Sequence, residues 1–294
     1  MEAPAQPRCE GPRSAARQGR HNGCVLEESD WRSMHRDGVE LAYAEVGAGE
    51  RTALLLHGLA GCVEEWKGTL DDLRAQGYRV LALDQRGHGR STRRPASVTR
   101  AAYVEDVVSL IEESGAGPVD LIGQSMGAHT ALLVAAERPD LIRSLVLVEG
   151  GVGGGGPEAT APVARWLHSW PVPFGDRDAF AEFFGGSPRV ARAWADGLNV
   201  RVDGLWPRWD ADVLEAALAQ VHAIAWWKAW ERVSAPTLVV RGAEGRLSGP
   251  EVDEMLRRGR DVHAITVAAA GHDLHLEAPR AWLDALHTFL SQRG

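Results

Sequence analysis

Thr52–Leu56, Tyr78–Leu83, Val119–Ile122, Leu145–Val148, Thr237–Val240 and Val262–Val267 are short, largely unbroken apolar runs, and they constrain the fold more than any other feature of the chain. A strand with one wet face alternates, whereas a strand covered on both faces is apolar throughout. Helix-period stretches lie between the runs, at about 64–75, 99–114, 126–137, 250–258 and 279–291. Strand and helix in alternation predict a doubly wound, mostly parallel α/β sheet. Val39–Val46 alternates loosely and reads as an antiparallel edge strand. The runs stop at His57-Gly58, Asp84, Gly123, Glu149 and Arg241-Gly242, and the last precedes Gly271-His272. Ligands of open α/β sheets bind outside such carboxyl ends.

The alternation lapses between about 151 and 232, where a glycine run leads into helical segments holding eight of the eleven tryptophans. An inserted helical cap over the sheet edge is the simplest account. The expected organisation is a disordered leader at 1–30, a core at 31–150 and 233–294, and a cap at 151–232. The glycine run Gly151–Gly156 reads as a hinge between core and cap. It lacks the full signature of a dinucleotide site. The leader has no continuous apolar segment of the signal-peptide kind.

Composition excludes several classes. With 45% hydrophobic and 24% charged residues, wholesale disorder is ruled out. A net charge of −8 disfavours nucleic acid and anionic membrane as partners. No run reaches the roughly 18 apolar residues of a membrane span. Three cysteines make neither a disulfide scaffold nor a zinc site, so a cytoplasmic setting and no metal are expected. A homo-oligomer is compatible with all of this.

The chemistry-bearing signal is Gly123-Gln124-Ser125-Met126-Gly127, placed after a strand and opening a helix. In that context a G-x-S-x-G match is a nucleophile elbow, where a sharp turn lifts the serine hydroxyl clear of the sheet. The hydroxyl needs a base. His272, after the last strand and before the helix near Pro279, is the candidate; His275 is displaced toward the helix, and His129 reads as packed or solvated. The base needs a carboxylate to hold its tautomer. Glu149, ending one strand, and Glu244, just after Gly242, are both candidates. Backbone N–H groups of Met126 and Leu59 are placed to form an oxyanion hole. Asp84 and Arg86 read as pins for their own turn. The tryptophans suggest an aromatic wall for an apolar substrate, with Trp66, Trp226 and Trp227 as candidate lining residues.

His57-Gly58, the Asp84–Ser91 turn, Gly123–Gly127 and Gly271-His272, in this order over about 38–294, resemble the α/β-hydrolase fold family. The resemblance implies a cap, a Ser–His–acid triad and no cofactor. It carries nucleophile onto Ser125, base onto His272 and oxyanion amides onto Leu59 and Met126. Many members place an Asp three residues after the glycine that ends the penultimate strand; here that position is Gly245. Other members take the acid from the end of the preceding strand, which favours Glu149 over Glu244. The expected activity is hydrolysis of an ester, or other activated acyl bond, of a small hydrophobic molecule. Carbon–carbon bond hydrolysis beside a ketone and non-catalytic ligand reception by the same fold are the alternatives.

Overall fold

Every residue of Thr52–Leu56 and of Val119–Gln124 is buried, because helices cover the sheet on both faces. The computed structural model describes residues 26–292. In chain order its strands are β1 (Trp31–Arg36), β2 (Val39–Val46), β3 (Thr52–Leu56), β4 (Arg79–Leu83), β5 (Val119–Gln124), β6 (Ile142–Val148), β7 (Asn199–Arg201), β8 (Gly204–Trp206), β9 (Thr237–Gly242) and β10 (Val262–Val267). The helices are α1 (Lys67–Ala75), α2 (Arg100–Glu113), α3 (Met126–Glu137), α4 (Gly156–His168), α5 (Arg177–Phe184), α6 (Pro188–Asp196), α7 (Ala211–His222), α8 (Trp227–Trp230), α9 (Gly249–Arg258), α10 (Leu274–Glu277) and α11 (Pro279–Ser291). Eight strands form one sheet in the order β1-β2-β4-β3-β5-β6-β9-β10, and β7 and β8 form a separate ribbon. From β4 to β10 the pairing is parallel; β2 pairs antiparallel with β1 and with β4.

Alternate side chains of each strand feed two cores. Leu54 and Leu56 join α2, α3 and α9 on one face. Ala53 and Leu55 meet α1 and α11 on the other, around Trp66, Trp282 and Phe289. Each fully buried Leu or Val contributes about 1.5–3 kcal/mol of transfer free energy, which makes these strands the rigid part of the molecule.

The sheet differs from the sequence expectation at its edge. Val39–Val46 is the second strand, and β1 lies outside it. In β1 only Met34 is buried, so a largely wet strand leaves no apolar run to read. Part of the expected leader at 1–30 is ordered against the core. Residues 1–25 lie outside the described part, but Glu28–Asp30 form a 3-10 turn and Glu28 pairs with Arg90 at 3.0 Å.

The segment between β6 and β9 contains α4–α8 and the β7–β8 ribbon, so it is not purely helical. Its aromatic centre gathers Trp170, Phe174, Phe180 and Trp209. Its last turn belongs elsewhere: Ala229, Trp230 and Val233 are part of the main core. The glycine run is packed at Gly151, Gly153 and Gly154, while a Cβ on Gly156 would meet open space. A Cβ on Gly153 would lie 2.4 Å from the Val221 carbonyl oxygen, and Gly154 N–H donates to that carbonyl at 3.1 Å. Among the described residues no helix is long and apolar enough to cross a membrane.

Candidate active site

Ser125 occupies the step from β5 into α3 with φ 52° and ψ −115°. Non-glycine residues rarely hold such backbone, and where they do the surrounding structure enforces it. Two glycines make the step possible. A Cβ on Gly123 would lie 2.3 Å from the Gly127 carbonyl oxygen, and a Cβ on Gly127 would lie 2.3 Å from that of Leu56. The helix therefore starts against the strand, and Ser125 projects beyond the sheet edge.

His272 comes to the same place from the loop between β10 and α10. Its Nε2 is 2.9 Å from Ser125 Oγ, and its Nδ1 is 3.2 Å from Glu149 Oε2. The loop is fastened from behind, where Glu277 accepts from Gly271 N–H at 2.6 Å and Asp273 N–H at 3.2 Å. Ser125, His272 and Glu149 thus form one hydrogen-bonded line drawn from three separate strand ends.

Glu149 also has a positive φ, 50°, and its side chain is fully buried. Gly242 N–H donates to Oε1 at 2.7 Å; Arg246 N–H and Leu247 N–H donate to Oε2 at 2.6 and 3.3 Å. Burial acts to raise its pKa, but the hydrogen bonds from His272, Gly242 and Arg246 outweigh it and hold the carboxyl below its ordinary value. The carboxylate is therefore ionised where it faces the imidazole. Glu244, the alternative acid, is exposed at the turn, and the cavity beside Ser125 does not include it.

Leu59 and Met126 line that cavity together with Ser125. Neither N–H donates to a backbone carbonyl in the turn hydrogen bonding of the described residues. The Met126 N–H opens α3, so the helix N-terminus adds its partial positive charge there. Asp84 and Arg86 pin their own turn: Asp84 accepts from Val63 N–H at 2.8 Å and Arg90 N–H at 2.7 Å, and Arg86 makes two bonds of 2.6 Å to buried Asp106.

The cavity measures about 600 Å³. Leu59, Val163, Trp166, Phe184 and Trp194 supply its apolar part, and Glu65, His129, His222, Arg246, Glu251 and Asp273 its polar part. An aromatic wall is present, but the three tryptophans expected from sequence do not form it. Trp66 is buried under the sheet edge against His275 and Trp282, with ring centroids at 4.6 and 6.2 Å. Trp226 packs on the main core, edge-on to His129 at 5.8 Å. Trp227 lies beneath the Arg258 guanidinium, 4.6 Å from it. All three are near the active edge in sequence, but Trp66 is buried in the core and Trp226 and Trp227, half-buried, pack against it. Trp166 and Trp194 take the place expected of them. His129 is buried as a packed residue, yet it also borders the cavity. His275 is buried on Trp66.

Residues 53–285 match the model of the alpha/beta hydrolase family. The chain belongs to that family. Among the curated relatives of this alpha/beta hydrolase, (E)-2-((N-methylformamido)methylene)succinate hydrolase of Acinetobacter baylyi is 26% identical over 284 residues, covering 90% of this chain and 97% of the relative. The sn-1-specific diacylglycerol lipase ABHD11 of Mus musculus is 28% identical, covering 81% and 80%. An acetyltransferase component of the acetoin cleaving system of Cupriavidus necator is 38% identical over 112 residues, and the chain spans only 30% of its length. The crystal structure of E-2-(acetamidomethylene)succinate hydrolase superposes with a TM-score of 0.80 at 24% identity, over 89% of this chain and 98% of that one, which supports the fold.

Proposed function

We propose that this alpha/beta hydrolase is a serine hydrolase that cleaves an ester, or another activated acyl bond, of a small and largely apolar substrate through an acyl-enzyme. The observation that carries the reading is the continuous line from Ser125 Oγ through His272 to buried Glu149.

The geometry supports the following steps. Ser125 Oγ attacks the substrate carbonyl as its proton passes to His272 Nε2, 2.9 Å away. The imidazolium so formed is stabilised by Glu149, which also fixes the tautomer that leaves Nε2 free to accept. The carbonyl oxygen, now carrying negative charge, receives hydrogen bonds from Leu59 N–H and Met126 N–H. His272 returns its proton to the leaving group, and the acyl chain stays on Ser125. Water then repeats the sequence on the acyl-enzyme, with His272 again taking the proton. Trp166, Phe184 and Trp194 offer the acyl portion an apolar surface.

A second reading is hydrolysis of a carbon–carbon bond beside a ketone with the same residues. What favours it is a relative from Pseudomonas putida, a 2-hydroxy-6-oxononadienedioate/2-hydroxy-6-oxononatrienedioate hydrolase, 32% identical over 131 residues that span 42% of this chain and 45% of the relative. Purified protein assayed in parallel on p-nitrophenyl esters of graded chain length and on vinylogous 1,5-diketones separates the two. Ester turnover abolished by Ser125→Ala supports the first reading; turnover of the diketones alone supports the second.

A further inference from the structure

The side chain of Gln124, between Gly123 and Ser125, links the elbow, the oxyanion turn and the base loop. It ends β5, is 2% exposed and borders the cavity. Its Nε2 donates to the carbonyl oxygen of His272 at 3.0 Å. That bond fixes which end of the amide is nitrogen, so Oε1 points the other way, toward the turn that follows β3. There it sits so close to Gly58 that a Cβ on Gly58 would lie 2.1 Å from it, and the same Cβ would lie 3.2 Å from Ser125 Cβ.

We infer that Gln124 is a positioning residue, setting the distance between His272 and Ser125 by clamping the His272 carbonyl to the strand that carries the nucleophile. The inference rests on the triad reading above. His272 lies on a loop with several anchors, among them Trp194 Nε1–H, which donates to Asp273 Oδ2 at 3.3 Å, and Glu244 N–H, which donates to the Ala270 carbonyl at 2.9 Å. Glu277 holds the N–H groups on either side of it, Gly271 and Asp273, and belongs to the same part of the chain. Glu277 therefore shapes the loop without relating it to Ser125. Gln124 alone of these anchors reaches from the loop to the elbow. Because it is attached one residue before Ser125, any displacement of the elbow carries the His272 backbone with it, and the 2.9 Å contact between Nε2 and Oγ is preserved. A neutral amide suits this position, since it donates firmly to a carbonyl and adds no charge beside the imidazolium that forms during the reaction. Gly58 fits the same logic, because its missing side chain gives the amide oxygen its room.

The test compares the rate of fluorophosphonate labelling of wild type, Gln124→Leu and Gln124→His, with ester kinetics and the low-field proton NMR signal of the His272 Nδ1–H to Glu149 bond. Gln124→Leu keeps the bulk and loses the donor; Gln124→His restores an N–H. A small misplacement of reacting groups is worth up to about 100-fold in rate. The expected result is a fall of about tenfold or more in labelling rate and kcat for Gln124→Leu. KM should stay within about twofold, the low-field signal should shift or broaden, and Gln124→His should recover part of the rate. Wild-type labelling speed and an unmoved proton signal in a folded Gln124→Leu overturn the inference. Should Gln124→Leu fail to fold, Gln124→Ala replaces it as the variant without a donor: slow labelling by Gln124→Ala with partial recovery in Gln124→His supports the inference, and wild-type labelling by Gln124→Ala, or equal loss in Gln124→Ala and Gln124→His, overturns it. If wild type itself is not labelled at Ser125, the triad reading fails first.

Discussion

The carboxylate of Glu149 occupies the space that a side chain on Gly245 would need. A Cβ on Gly245 would lie 2.1 Å from Glu149 Oε1 and 2.3 Å from Oε2. Two positions in different loops thus compete for one volume behind His272, and in this chain the earlier strand fills it. The glutamate's extra methylene, together with the positive φ of Glu149, brings a carboxylate from the end of β6 to the place where an aspartate on the later loop would put one.

Gly245→Ala is therefore expected to push Glu149 off His272 and to lower kcat by about tenfold or more, since misplacing the group that orients the base costs rate without removing it. Combining Gly245→Asp with Glu149→Ala should recover activity relative to Glu149→Ala alone. Steady-state ester kinetics on these variants check both statements.

Neutralising the acid distinguishes the two carboxylates named from sequence. Glu149→Gln removes the charge opposite the imidazolium and leaves the Gly242 and Arg246 N–H groups facing a poorer acceptor, so kcat should fall by about 100-fold or more. Glu244→Gln, on an exposed turn, should stay within about twofold of wild type. Equal and mild losses from both would contradict the arrangement.

The pKa of Glu149 is held below its ordinary 4.5, so its ionised form is bound more tightly in the folded chain than in the unfolded one. Stability from this group is complete above that ordinary value and is lost as pH falls through the folded-state pKa. The Tm gap between wild type and Glu149→Gln should thus be widest near neutral pH and narrow below about pH 4.5. Glu65 gives the opposite sign: burial, reinforced by the nearby Asp273 charge, pushes its pKa well above the usual range. Its favourable contribution is present at acid pH and is lost as pH rises through the folded-state pKa. Glu65→Gln should raise Tm more at pH 8 than at pH 5, as thermal melts at the two pH values will show.

Trp194 and Trp166 border the cavity, whereas Trp227 does not. Trp194→Ala and Trp166→Ala should raise KM for apolar esters by about tenfold each, equivalent to about 1.4 kcal/mol of lost contact. Trp227→Ala should leave KM unchanged and lower Tm. Ester series with acyl chains of increasing length check the direction.

The inner strands are legible in the sequence because burial on both faces leaves a continuous apolar signature, as in Thr52–Leu56. β1 is not, since Met34 is the only buried residue among six. Ser125 and His272 can be read from turns whose steric demands leave a mark in sequence, glycine above all. The acid is ambiguous because Glu149 and Glu244 both follow strand ends; what separates them is direction and the volume left by Gly245. Pocket residues are the least legible. Trp66 and Trp226 face the core whereas Trp166 and Trp194 border the cavity, and the hydrophobic pattern does not record which apolar face meets a cavity. Gln124 stands inside the elbow motif, but its reach to the His272 carbonyl is a long-range contact with no local signal.

Labelling with a fluorophosphonate probe, followed by peptide mapping, tests the central claim most directly. The account predicts a single adduct on Ser125, formed by wild type and absent from Ser125→Ala, with ester turnover lost in step. An adduct on another residue, or a Ser125→Ala variant that still hydrolyses esters at the wild-type rate, would contradict it.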